Sequence, residues 1–315
     1  MLPPILTTKL YIPPTRPGLV PRRHLIARLK AGVEAGHRVT LISAPAGFGK
    51  TTLAATCAAT CGWPVAWLSL DQGDSDPAEF WRYVIAACQT IHAILGAEAE
   101  ALLTDPHPPR IQTILAHLLN DVAAAQSRFL LVLDDYQAIQ DREIHASLAY
   151  AIEHLPPNLN LLLVTRADPP LPLSQLRARG HLTEIRARDL RFSDAEAAAL
   201  LIETMGLELS RADVTAVETR TEGWAAGLQL AGLSMQRCED TAAFVRDFTG
   251  THHYVMEYLT DQVMAVQSEQ MRAFLTETSV LDRLCGPLCD AVTGCTGSGE
   301  TLLQELLRQQ ASDGV

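Results

Sequence analysis

A surplus of positive charge is missing from this sequence: 25 lysines and arginines stand against 36 aspartates and glutamates, for a formal net charge of -11. Such a balance repels phosphate backbones at long range and makes this chain alone a poor candidate for strong nonspecific DNA binding. Paired Cys-x-x-Cys sites are missing too. The cysteines stand at Cys57, Cys61, Cys88, Cys238, Cys285, Cys289 and Cys295, an odd count of seven, and reduced thiols are expected. Cys285, Cys289 and Cys295 lack a nearby fourth ligand, so they leave a tetrahedral zinc site incomplete and read as ordinary small apolar residues. Met1-Leu2-Pro3-Pro4 offers no basic start followed by an apolar block. No secretory signal is therefore seen, and a cytoplasmic location is expected. Thr51 to Leu70 is uncharged over a length that nominally spans a bilayer, but its threonines and the break Gly62-Trp63-Pro64 divide it into a helix and a strand.

The chain has 315 residues, 48% hydrophobic and 19% charged, which excludes a disordered tail and sets a prior of two or three domains. Residues 1–22 are rich in proline without periodicity and read as an extended arm. A helix is predicted from about Arg23 to Ala35. Short apolar runs then alternate with helical segments at Val39–Ser43, Val65–Leu70, Phe129–Leu133, Leu161–Thr165 and, more weakly, Leu182–Ile185. Runs nearly continuous in Val, Leu and Ile belong to a parallel sheet with helices on both faces. This sheet domain, residues 23–191, ends near Arg191, beyond which the pattern is helical. Ser193 and Glu196 form a capping box that opens residues 192–278, with further helices around 211–220, 224–237, 241–249, 253–266 and 268–277. Residues 279–315 read as the start of another small module. No internal repeat is present.

Ala44-Pro45-Ala46-Gly47-Phe48-Gly49-Lys50-Thr51-Thr52 directly follows a predicted strand and opens a helix. It matches G-x-x-x-x-G-K-[ST] except for Ala44 at the first glycine. Backbone N–H groups must approach phosphate oxygens closely, which side chains at Gly47 and Gly49 obstruct, and the helix dipole adds positive potential. Ala46, Gly47, Phe48, Gly49, Lys50, Thr51 and Thr52 are thus the expected phosphate-binding set, with ATP the expected ligand. Lys50 reaches the β and γ phosphates, and the Thr51 hydroxyl is offered to Mg2+. Phe129 to Asp135 is an apolar strand ending in two carboxylates. Asp134 is read as the magnesium-side residue and Asp135 as a general base for the attacking water; the alternative is a solvated pair capping a strand. Arg166, after the Leu161–Thr165 run, is placed to sense the γ phosphate or is a surface charge.

Several segments together carry a family resemblance: Leu6-Thr7-Thr8-Lys9-Leu10-Tyr11-Ile12-Pro13-Pro14, Leu19-Val20-Pro21-Arg22, the loop Ser43 to Thr52, and Trp67-Leu68-Ser69-Leu70-Asp71 with Asp74 and Asp76-Pro77. Leu133-Asp134-Asp135-Tyr136, Thr165-Arg166 and Thr221 to Leu228 complete the set. In order and spacing the chain resembles the N-terminal ATPase module of the MalT-like, LuxR-type ATP-dependent transcriptional regulators, which are P-loop ATPases of the signal-transducing STAND class related to NB-ARC and NACHT modules.

The resemblance implies an α/β fold: a three-layer P-loop sheet, then an all-helical domain and a partial winged-helix module, closing over ADP or ATP. It implies that Ala44 is tolerated, and that the N-terminal arm brings Val20 and Arg22 near the adenine. Gly223 to Leu228 stands where relatives carry Gly-x-Pro, with Ala225 in the proline position, so Trp224 is either a base contact or a core anchor. His252 and His253 read as ordinary helix residues rather than the winged helix's nucleotide-sensing histidine. The family's sensor repeats and helix-turn-helix do not follow, so a fragment or natural truncation is expected. DNA contact would come only through a C-terminal domain absent from this chain, and no membrane partner is expected. The implied function is an ATP/ADP switch with slow Mg2+-dependent hydrolysis as reset and self-association in the ATP state. Competing readings are an ATPase whose turnover is the output, and a nucleotide-binding remnant that modulates full-length homologues.

Overall fold

The computed structural model describes residues 4–310 apart from 17, 126, 239–240, 248–263, 265–266, 282 and 295–296. His252, His253, Cys295 and nearly all of the helix expected over 253–266 lie outside the described residues. The chain forms two compact units, one made of residues 1–17, 21–44 and 49–189, the other of 18–20, 45–48 and 190–315.

The first unit is built on a five-stranded parallel sheet in the order β2-β3-β4-β1-β5. Its strands are β1 (Val39–Ser43), β2 (Val65–Ser69), β3 (Phe129–Asp134), β4 (Leu159–Thr165) and β5 (Leu182–Arg186). The three central strands are buried along their whole length, whereas edge strands β2 and β5 each admit half-buried positions. Helices on both faces explain why β1, β3 and β4 are near-continuous in Leu, Ile and Val rather than alternating. Those helices include α1 (Arg23–Glu34) and α2 (Lys50–Thr60). Between β2 and β3 the chain adds α3 (Pro77–Gln89), α4 (Ala97–Leu103) and α5 (Ile111–Ala124). Next come α6 (Arg142–Glu153), α7 (Leu173–Ala178) and α8 (Ala187–Leu190). Side-chain caps fix two starts: Asp76 accepts from Glu79 N at 2.9 Å with Pro77 in the first turn, and Asp141 accepts from Ile144 N at 3.0 Å. Trp67, Phe80, Phe129 and Tyr136 are the largest buried side chains of this core.

The N-terminal arm does not stay extended throughout. Thr7–Leu10 makes one 3-10 turn, and Lys9 Nζ lies 2.7 and 2.8 Å from the two carboxylate oxygens of Asp74 and 2.8 Å from Asp71 Oδ2. Asp74 is wholly buried. Burial alone lowers the Lys9 pKa, but hydrogen bonds to Asp71 and Asp74 and their charges outweigh it and hold the ammonium above its usual value.

The second unit is helical. α9 (Asp194–Ala198) begins at the Ser193–Glu196 capping box and runs into a π-helical turn, Ala199–Thr204. α10 (Arg211–Thr221), α11 (Ala225–Met235) and α12 (Thr241–Asp247) follow. Ala197, Leu201, Val214, Val217, Leu228 and Met235 form one buried cluster, with Trp224 packed against it. Within this unit Trp224 Nε1 donates to Ala46 O at 3.0 Å and Ala226 N to Gly47 O at 3.0 Å. The indole of Trp224 is therefore a core anchor whose N–H has a fixed backbone acceptor. α13 (Glu269–Thr278), α14 (Gly286–Thr293) and α15 (Gly299–Gln310) share a smaller cluster of Met271, Phe274, Cys289 and Leu302. Among the described residues no helix is long and apolar enough to cross a membrane.

Candidate phosphate-binding site

The sheet order sets the site. β4 lies between β1 and β3, so the carboxyl ends of all three strands open side by side, where ligands of parallel sheets gather. β1 ends at Ser43, and Ala44 N still donates to Thr165 O of β4 at 3.3 Å. Ala44 thus extends the β1 ladder with its methyl group fully buried, which gives a physical reason why a glycine is not required there.

The loop then turns through left-handed backbone at Gly47 (φ 79°) and Gly49 (φ 78°) before α2 begins at Lys50. Any other residue type would be strained at these two positions. No side chain caps the start of α2, so the first amides of that helix, from Lys50, Thr51 and Thr52, keep the character of an anion site.

Lys50 is 8% exposed and Asp134 2%. Thr51 Oγ1 donates to Asp134 Oδ1 at 3.0 Å, and Asp135 N donates to the same oxygen at 3.0 Å. Leu70 N donates to Asp134 O at 2.9 Å, tying the end of β2 to the end of β3. Asp135 itself sits beyond the strand in left-handed backbone, φ 56° and ψ 39°. Its Oδ1 accepts from Gln137 Nε2 at 2.8 Å, and Gln137 Oε1 accepts from Arg166 N at 3.0 Å. The structure thus brings Lys50, Thr51, Asp134, Asp135 and Arg166 to one sheet edge, and adds Gln137, which carries no motif of its own.

Val20 is half-buried, and Arg22 stands at the start of α1 with Nη2 donating to Asp189 O at 3.1 Å.

Burial opposes both charges at this edge. Burial lowers the Lys50 pKa to about 8, with the Arg166 charge adding to the shift while Asp135 and Asp134 oppose it. Burial, joined by the Asp135 charge, raises Asp134 to about 6 against hydrogen bonds from Thr51 and Asp135 N. A buried cation and a buried carboxylate, each destabilised in its charged form, suit a ligand that brings an anion to one and a cation to the other.

Asp134 gives a signed pH expectation. Its folded pKa of about 6 exceeds the ordinary 3.8, so the folded chain holds a proton that the unfolded chain has released. Stability from this group is present below about pH 4 and lost as pH rises to about 6. Asp134→Asn, which cannot ionise, is therefore expected to stabilise ligand-free protein at pH 7.5 by ~2–3 kcal/mol, at about 1.4 kcal/mol per pKa unit, and by almost nothing at pH 4. Urea unfolding at the two pH values measures it.

A family model of the AAA ATPase domain matches residues 19–164, and one of the MalT winged helix domain matches residues 260–312. The serine/threonine-protein kinase PknK of Mycobacterium tuberculosis is 34% identical over 307 residues, 96% of this chain and 27% of that protein. The HTH-type transcriptional regulator MalT of Yersinia enterocolitica is 32% identical over 309 residues, 97% of this chain and 34% of its own length. The chain thus spans about a third or less of these curated relatives. Among solved structures, the Walker-type ATPase PABY2304 of Pyrococcus abyssi superposes with a TM-score of 0.58 at 15% identity, covering 95% of this chain and 91% of that one. The STAND protein PH0952 of Pyrococcus horikoshii, which carries a tetratricopeptide repeat sensor, gives 0.53 at 16% identity over 94% and 40%. These two likenesses are of fold.

Proposed function

We propose that this chain, which belongs to the MalT-like P-loop ATPase modules of the STAND class, binds ADP and ATP with Mg2+ as a regulatory switch and hydrolyses ATP slowly as its reset. The observation that carries this reading is the 3.0 Å bond between Thr51 Oγ1 and Asp134 Oδ1 beside the buried Lys50 ammonium. A hydroxyl and a carboxylate at that spacing are the oxygen pair that suits Mg2+, an ion that takes few protein ligands.

In this reading the amides of Ala46 to Thr52 surround the phosphates, and Lys50 faces the β and γ groups. Thr51 and Asp134 hold Mg2+, which supplies neutralising charge to the phosphate oxygens. Asp135 orients and polarises the attacking water, Arg166 reads the γ phosphate, and Val20 with Arg22 serves the adenine side. Asp135 lies outside the strand, in left-handed backbone.

A switch needs a difference in affinity between two states, because a nucleotide bound equally well by both shifts nothing. ADP holds the resting form, and ATP with an inducer favours the form that self-associates. Contact with DNA belongs to other parts of a longer protein.

Three measurements on purified protein test the proposal together. ADP is expected to copurify, steady-state phosphate release to be slow without an inducer, and the association state on gel filtration to differ between ATP and ADP. Rapid inducer-free turnover would favour an enzyme whose product is the output. An unchanged association state in both nucleotides would remove the switch and leave a binding module alone.

A further inference from the structure

The β3–β4 ladder stops at Leu133–Leu163, yet the two chain ends beyond it remain joined. The joint is a side chain. Gln137 Nε2 donates to Asp135 Oδ1 at 2.8 Å, and Gln137 Oε1 accepts from Arg166 N at 3.0 Å. An ionised carboxylate only accepts and a backbone N–H only donates, so the bridging group must offer one donor and one acceptor about 2 Å apart. A primary amide does this without charge.

The bridge is mounted rigidly. Gln137 lies in a 3-10 turn, Tyr136–Ala138, that starts from the left-handed Asp135. Tyr136, at the start of the turn, is 1% exposed, and its hydroxyl shares a 2.8 Å hydrogen bond with His145 Nδ1 of α6. A left-handed non-glycine residue persists only where its surroundings over-determine it, and here a buried ring on one side and an amide bridge on the other do so.

We propose that Gln137 is a positioning residue that couples the Asp135 carboxylate to the backbone of Arg166. The end of β4 and the carboxylate after β3 then move as one piece. The coupling rests on the nucleotide reading above: occupancy of the γ-phosphate position, met at Arg166, is passed through one amide to the group that orients water. Gln137 acts through Asp135 and the Arg166 amide, the partners of its two side-chain hydrogen bonds, so in this proposal binding of a diphosphate does not depend on it. What depends on it is the distinction between ATP and ADP, and the rate of the step that destroys the distinction.

Three variants separate these roles. Gln137→Leu keeps the volume and removes both bonds. Gln137→Glu replaces the donor with a carboxylate facing Asp135. Gln137→His offers a neutral ring with one N–H and one acceptor nitrogen at a similar separation. Calorimetry gives affinities for ADP and for a non-hydrolysable ATP analogue, and single-turnover assays give the hydrolysis rate. ADP affinity is expected within about twofold of wild type in all three, while hydrolysis falls about tenfold or more in Leu and Glu, the scale of losing one hydrogen bond to a charged group. The ratio of analogue to ADP affinity falls with it, and the His variant recovers both. The coupling is overturned if Leu matches wild type in rate and ratio, if Leu loses ADP binding as well, or if His is no better than Leu. Wild-type protein that binds neither nucleotide would instead overturn the underlying site, and with it the coupling, before any Gln137 variant is compared.

Discussion

Lys9→Met is expected to destabilise the chain by about 3–5 kcal/mol, the cost of removing one partner from a buried ion pair. The reason lies in what stays behind. Asp74 is wholly buried and receives the Lys9 ammonium on both carboxylate oxygens, at 2.7 and 2.8 Å, while Asp71 N takes only part of the remaining capacity at 2.8 Å. Without Lys9 a carboxylate would be left in the interior with one backbone donor. The loss reaches further than the arm, because Asp71 to Asp74 is the turn that directly follows β2, and the next residue back, Leu70, donates to Asp134 O. Urea denaturation measures the effect. A companion variant, Asp74→Asn, keeps an acceptor for Asp71 N and removes the charge. The Lys9→Met, Asp74→Asn double variant should lose clearly less than the sum of the two single losses, since residues in one network are not additive. Equal and additive losses would mean that the two side chains do not support each other.

Lys50→Ala should lower ADP affinity by about a hundredfold or more, since a charge-assisted hydrogen bond to an ionised group contributes roughly 1.5–3 kcal/mol and the proposed site would set the Lys50 ammonium against more than one phosphate oxygen. The same substitution is expected to leave the ligand-free fold intact. Burial has already lowered the Lys50 pKa to about 8, so its charge is a cost to the empty protein at neutral pH. Purified Lys50→Ala protein should therefore be folded by circular dichroism, unfold at no lower a temperature than wild type, and emerge without nucleotide. Retained nucleotide in that variant would place the phosphates elsewhere.

What the sequence disclosed and what it hid differ in one physical respect, the separation of the partners along the chain. Val39–Ser43 was legible as a strand end to end, because five consecutive apolar or small residues before a glycine-rich loop leave little else to form. The Ser193–Glu196 capping box was equally legible, since both of its bonds close within three residues. Asp134 and Asp135 could be read as a pair, both at the end of one apolar strand. In the structure Asp134 ends β3 while Asp135 has left it, held by a glutamine two residues on. Gln137 was hidden because its second partner, the Arg166 amide, is 29 residues away and becomes a neighbour only once β4 inserts beside β3. Lys9 and Asp74, 65 residues apart, stood in two segments of the family pattern with nothing in the spacing to say that they meet. The helices α3, α4 and α5 fill a crossover that the periodicity left without named elements, and Asp76-Pro77, the start of α3, stood in the family pattern without being read as a helix start.

A titration calorimeter with Mg2+ present tests the phosphate loop most directly. Folded wild-type protein, freed of any carried nucleotide, should take up ADP and ATP at one site per chain with measurable heat, and each should compete with the other. Well-folded protein that gives no heat with ADP, ATP or GTP would contradict the assignment of Gly47 to Thr52 as a nucleotide cradle.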